Sequence, residues 1–149
     1  MANATFYIIS PDSPQASQSS FMDYVFFLAD FFTQQNAKIF INCENRTYAE
    51  ELAEVFWSTS PERYIAHNLV GEGPQHGTNV EIGFQGVKPL WNRQIVLNLA
   101  NVHTTFANQF TEVVDFVPCD ENTKQIARER FKQYRQAGFQ MQTIDIQHP

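Results

Sequence analysis

Lys124, Arg128, Phe131 and Arg135 are the residues whose types and spacing point most directly to chemistry. In a helix that advances about 100° per residue, with Lys124 at zero, Arg135 falls at about 20°, Arg128 at about 40° and Phe131 at about 340°. The four make one stripe along one face. Ala127 and Tyr134 lie beside it, at about 300° and 280°, toward the side expected to face a core. Three cations edged by an aromatic ring can receive an acidic ligand that also carries an apolar side chain. Arg pairs bidentately with carboxylates, and Phe131 offers a packing wall. The same spacing also describes a solvated charged face with Phe131 packed inward. A nucleic-acid reading fits less well, because the stripe is short and the rest of the chain is acidic.

Other chemistries find little support. The first strand–helix connection, Ser10 to Ser20, contains no glycine, so it lacks the fingerprint that lets a backbone approach a pyrophosphate. No Gly-Lys-Ser/Thr occurs, and the glycine cluster Gly71-Glu72-Gly73-Pro74-Gln75-His76-Gly77 precedes a strand candidate rather than a helix. Among His67, His76, His103 and His148, no pair has the i, i+4 spacing of a helical zinc motif, so no metal site is expected. His67, before Asn68-Leu69, reads as a hydrogen-bonding loop residue, and His148 lies in the C-terminal tail. Cys43 reads as inert packing at the end of a buried strand. Cys119 sits near a helix N-terminus, which can lower a thiol pKa, but no base or oxyanion site accompanies it. Trp57 and Tyr64 flank the turn from Ser58 to Glu62. They read either as interface residues or as ordinary core.

The elements that must position these residues follow from periodicity. Thr5 to Ile9 reads as a buried first strand, and Ser10 to Ser20 as a loop. Ser19 or Ser20 can cap a helix from about 21 to 35, whose apolar residues cover most of its circumference, so it should be largely buried. Lys38 to Cys43 is a second strand. Asn45 or Thr47 starts a helix through about Trp57, with Leu52, Val55 and Phe56 inward and Glu50, Glu51 and Glu54 outward. Arg63 to Ala66, Val80 to Phe84, Gln94 to Leu99 and Glu112 to Val117 are strand candidates, Gly71 to Gly77 is a loop, and His103 to Phe110 a short helix. Asp120 or Asn122 caps the helix from 120 to 137, and Gly138 stops it. Phe139 to Ile146 is a last strand. Alternating strands and helices imply a three-layer α/β sheet, at least partly parallel, in a single domain spanning 1–149.

Composition sets the outer bounds. The chain has 149 residues, 10 Lys+Arg against 16 Asp+Glu and a formal net charge of −6. Hydrophobic residues are 43% and charged ones 17%, which fits a globular domain with a substantial core. The charges are unevenly placed. Lys124, Arg128, Arg130, Lys132 and Arg135 face only Glu129 within their span, whereas the first sixty residues hold only Lys38 and Arg46 among seven acids. Two cysteines are too few for a disulfide scaffold. No secretory signal or bilayer-length apolar run is present, so a soluble cytoplasmic protein is expected.

Several segments together resemble the chi subunits of bacterial DNA polymerase III, which are clamp-loader accessory proteins. They are Asn3-Ala4-Thr5-Phe6-Tyr7, His67-Asn68-Leu69 with Gly71-Glu72-Gly73-Pro74, Thr111 to Pro118, Lys124-Gln125 with Ala127-Arg128-Glu129-Arg130, Tyr134-Arg135 and Gly138-Phe139. The resemblance spans essentially the whole chain and is most specific from Thr111 to Phe139. It implies a Rossmann-like fold with helices on both faces, no nucleotide or other cofactor, and no catalysis. It also implies two partners. One is the psi subunit, met by a surface that includes Trp57 and Tyr64. The other is the acidic C-terminal tail of single-stranded DNA-binding protein, met by Lys124, Arg128 and Phe131 with Val117 at the pocket and Arg135 nearby. The family often has Tyr where this chain has Phe131, so the hydroxyl is missing and the apolar wall remains. DNA would then be reached mainly through its protein coat. The rival readings are a direct single-stranded DNA-binding module and a degenerate nucleotide-binding enzyme.

Overall fold

The computed structural model describes residues 2–9, 18–58, 67–69, 78–84, 94–100, 110–118 and 120–145. Seven strands are β1 (Asn3–Ile8), β2 (Ile39–Cys43), β3 (His67–Leu69), β4 (Val80–Phe84), β5 (Ile95–Asn98), β6 (Glu112–Val117) and β7 (Gln140–Asp145). The helices among the described residues are α1 (Gln18–Thr33), α2 (Arg46–Ser58) and α3 (Glu121–Gln136). The strands form one sheet in the order β3-β4-β2-β5-β6-β1-β7. Every pairing between them is parallel.

A parallel sheet must be covered on both faces, so its central strands are mostly apolar. Ile39-Phe40-Ile41-Asn42-Cys43 is buried at every position. Its side chains divide by alternation. Ile39, Ile41 and Cys43 join Val80, Ile82, Ile95, Leu97, Val114 and Phe116 beneath α1 and α2. Phe40 joins Ala4, Phe6, Val96 and Val113 beneath Tyr134 of α3. The two crossovers explain this split. The β1–α1–β2 path runs one way across the sheet and β6–α3–β7 runs the other, so right-handed connections place α1 and α3 on opposite faces.

The ends of the helices are set locally. Asn45 Oδ1 accepts from the Tyr48 backbone N–H at 2.9 Å, which caps α2. Asp120 caps α3 by accepting from Thr123 N–H at 3.1 Å. At its other end, Gly138 N–H donates to Arg135 C=O and Phe139 N–H to Tyr134 C=O, both at 3.1 Å. That is the double bond pattern of a Schellman stop, and Gly138 takes the left-handed φ of 99° it requires. The Phe139 and Tyr134 rings meet edge to face at 5.8 Å and close the apolar side of the stop.

One buried polar cluster ties α3 to the sheet. Asp115 stands in the middle of apolar β6 and is fully buried, and Arg130 of α3 is buried at 4% exposure. Arg130 donates through Nε to Oδ2 and through Nη2 to Oδ1 of Asp115, both at 2.9 Å. Nη2 also reaches Phe116 C=O at 3.1 Å. Tyr134 Oη donates to Asp115 Oδ2 at 3.2 Å, and Asn98 Nδ2 to the same oxygen at 3.1 Å. Asn42 Nδ2 extends the rung to Asn98 Oδ1 at 3.0 Å. The carboxylate is thus bound from β5 and α3 at once.

Several sequence expectations are corrected. Ser19 and Ser20 lie inside α1, which begins at Gln18, so neither caps it. Helix α1 is largely buried, as its composition suggests, except that Phe27 and Phe31 stand 50% and 51% exposed. His67 is a buried residue of strand β3 rather than part of a loop. The strand expected at Arg63 to Ala66, the loop from Gly71 to Gly77 and the helix at His103 to Phe110, apart from Phe110 itself, lie outside the described residues. So do residues 10–17 of the first connection, His76, His148 and Cys119. Cys43 is buried, and burial pushes its thiol pKa up, in keeping with an inert packing role.

Two substitutions test what holds α3. Arg130→Met leaves Asp115 buried without its charge partner and is expected to cost about 3–5 kcal/mol in urea unfolding, while Asp115→Leu combined with Arg130→Met costs less than that single change. Gly138→Ala meets no steric obstacle in its surroundings but keeps the left-handed φ, so the same assay should show a loss of about 1–2 kcal/mol.

Candidate functional site

The candidate site lies where the outer face of α3 meets the ends of β1 and β6. The Asp115–Arg130 pair sets the rotation of α3 about its axis. Arg130, Ala127 and Tyr134 therefore point into the sheet. That leaves the face carrying Lys124, Arg128 and Arg135 toward solvent. Arg128 and Arg135 are exposed, and Lys124 is half-buried.

Phe131 occupies the border. It is half-buried, and its ring packs on fully buried Phe6 of β1 with centroids 5.2 Å apart and a 58° tilt. Phe6 in turn meets Tyr134 at 5.8 Å. Val117, at the end of β6, is also half-buried and packs against the same apolar cluster. So the structure brings Val117 and Phe131 to the rim of one core, with the cations beside them. Phe131 thus packs inward and still presents a face outward.

The cations are only weakly engaged within the chain. Lys124 Nζ lies 3.6 Å from Glu121 Oε1, an exposed carboxylate one turn away. Arg128 Nη1 donates to Gln125 Oε1 at 3.4 Å. Lys132 Nζ approaches Glu129 Oε1 at 3.7 Å. Such surface contacts are worth little and exchange readily for an incoming carboxylate. The site can therefore hold an anionic group against Lys124 and Arg128 and an apolar group against Val117 and Phe131.

Trp57 is elsewhere. It closes α2 on the opposite face of the sheet, is 63% exposed, and meets His67 of edge strand β3 edge to face at 5.2 Å. His67 also packs on Phe56 at 5.1 Å. Tyr64 lies outside the described residues. Among the described residues, no group of three His, Cys, Asp or Glu side chains is placed to hold a metal ion. Among them too, no helix is long and apolar enough to cross a membrane.

Sequence reasoning counted Arg130 with the other cations and missed its role. Two signals mark it. Asp115 interrupts an apolar strand, and Arg130 falls at about 240° on the wheel, next to Ala127 and Tyr134 rather than to the stripe. A buried acid implies a buried partner.

Known proteins agree with this architecture. The C-terminal domain of the DEAD-box protein Dbp5 superposes with a TM-score of 0.62 over 97% of this chain and 91% of that one, at 13% identity, a likeness of fold alone. DNA polymerase III subunit chi of Escherichia coli strain K12 is 39% identical over 143 residues, covering 96% of this chain and 97% of the relative. The Haemophilus influenzae subunit chi is 36% identical over 80% of this chain and 83% of its own length. That of Pseudomonas aeruginosa is 28% identical, with 95% of each chain covered. The family described as DNA polymerase III chi subunit, HolC, matches residues 1–142. The chain belongs to the family of DNA polymerase III chi subunits.

Proposed function

We propose that this chain is a non-catalytic adaptor of DNA replication. As a single cytoplasmic domain over 1–149, it joins a polymerase III clamp loader through a psi subunit and captures the acidic C-terminal tail of single-stranded DNA-binding protein. Family membership supports the accessory role. The observation that carries the tail reading is the exposed cation stripe of α3 running beside half-buried Phe131 and Val117.

In this reading, acidic tail residues meet Lys124 and Arg128, with Arg135 extending the field. The terminal aromatic ring enters beside Val117 and Phe131, where Phe6 backs the wall. Charge supplies steering and orientation, and the ring supplies the anchor. The psi-facing surface includes Trp57 and Tyr64. Trp57 is a large, exposed aromatic on the face away from α3, so both partners can be held at once. The acidic remainder of the surface disfavours bare DNA.

Arg128→Ala is expected to weaken a tail peptide by about 1.5–3 kcal/mol, the scale of a hydrogen bond to a charged group. Calorimetry measures this, and an unchanged affinity sinks the site assignment. Affinity should also fall between low and moderate salt, whereas a salt-independent affinity would mean an apolar-dominated site. Trp57→Ala should abolish association with psi and leave tail binding intact, and co-purification of the variant with psi at the wild-type yield contradicts that surface. Titration of bare oligonucleotide against oligonucleotide coated with the binding protein separates the adaptor from a direct DNA binder.

A further inference from the structure

Helices α1 and α2 carry a net negative charge and α3 a net positive one, and the fold puts them on opposite faces of the sheet. The α1–α2 layer presents Asp23, Asp30, Glu50, Glu51 and Glu54, with Arg46 as the one cation in either helix. On this acidic layer, Phe27 and Phe31 stand one turn apart, half exposed. They are not isolated. Phe27 packs at 5.8 Å on Tyr24, and Tyr24 edge to face at 6.1 Å on Tyr7 of β1. Tyr7 is in register with Ile144 of edge strand β7, itself 36% exposed. The result is a connected apolar track from the β7 edge, over β1 to Tyr24 and Phe27 of α1, with Phe31 one turn further on and packed edge to face on Phe32 at 5.4 Å. Scattered exposed apolar residues need no explanation, but a connected track does.

We propose that this track is a docking surface for a cationic amphipathic helix of another protein. Tyr24, Phe27 and Phe31 recur at i, i+3 and i+7, a ridge about 10 Å long that matches two turns of a partner's apolar stripe. The charge of the partner follows from the border of the ridge. Asp23 is exposed beside it, Asp30 is held by Gln34 Nε2 at 3.0 Å, and α1 contains no Lys or Arg. A second copy meeting this face with its own would set those carboxylates against each other, which disfavours a symmetric dimer. The surface is distinct from Trp57. That residue sits beside β3, and β3 and β7 are the two opposite edges of the sheet.

The test uses the full chain and two labelled synthetic helical peptides, one of Leu and Lys and one of Leu and Glu with the same apolar stripe. Fluorescence anisotropy should show the Leu/Lys peptide binding about tenfold or more tightly than the Leu/Glu peptide. Phe27→Glu with Phe31→Glu changes only outward-facing positions and should weaken it by about tenfold or more, with circular dichroism confirming the fold. Asp23→Asn with Asp30→Asn should weaken binding several-fold and flatten its salt dependence, while Trp57→Ala and Arg128→Ala leave it unchanged. Wild-type affinity in the double Phe variant, or equal affinity for both peptides, overturns the proposal. So does self-association of the wild-type chain in sedimentation that the Phe27→Glu, Phe31→Glu variant abolishes, since the occupant would then be a second copy.

Discussion

The rest of the candidate site depends on the Asp115–Arg130 pair. Two charges are taken out of water at the centre of the α3 face of the sheet, and each is answered: the carboxylate by Arg130, Tyr134 and Asn98, the guanidinium by both carboxylate oxygens and Phe116 C=O. A pair of this kind adds little net stability over an apolar packing of the same volume. Its geometry admits one arrangement, because any rotation of α3 leaves a buried charge unmatched. Rotation of α3 is also what decides which cations reach solvent. The polar rung is thus a structural determinant of a surface it never touches.

The sheet acts as a divider of charge. Right-handed crossovers running in opposite directions from neighbouring strands place the acidic helices on one face and the basic helix on the other. A net charge of −6 therefore describes no actual surface of this molecule. One face presents cations and the other carboxylates, and each carries partly exposed aromatic side chains beside them. On the readings proposed above, two partners are selected by charge without competing for the same ground.

Much of the fold is legible along the chain where local physics decides it. The strands at Val80–Phe84 and Glu112–Val117 follow from short β-branched and aromatic runs, and β2 from a mostly apolar one. The start and stop of α3 follow from Asp120 and Gly138, each acting within a few residues. Legibility fails where a distant contact decides. The aromatics of α1 encircle the helix, and nothing in their spacing says which arc the sheet leaves uncovered. His67 has no periodic neighbours to mark a strand, and becomes one by pairing with β4 and packing on Phe56.

The sequence by itself determined the stripe. With 3.6 residues per turn, Lys124, Arg128, Phe131 and Arg135 share a face in any fold that keeps α3 helical. It also determined the order of most strands and helices, β3 excepted, and hence a layered α/β architecture. Only the tertiary structure decided that Arg130 belongs to the interior and not to the basic surface, that Phe131 rests on Phe6, and that Phe27 and Phe31 stand in water while Phe26 and Phe32 do not. The reason is physical: periodicity fixes angles within one helix, but the direction of inward is set by residues far away in the chain, here Asp115 for α3 and the β1–β6 face of the sheet for α1.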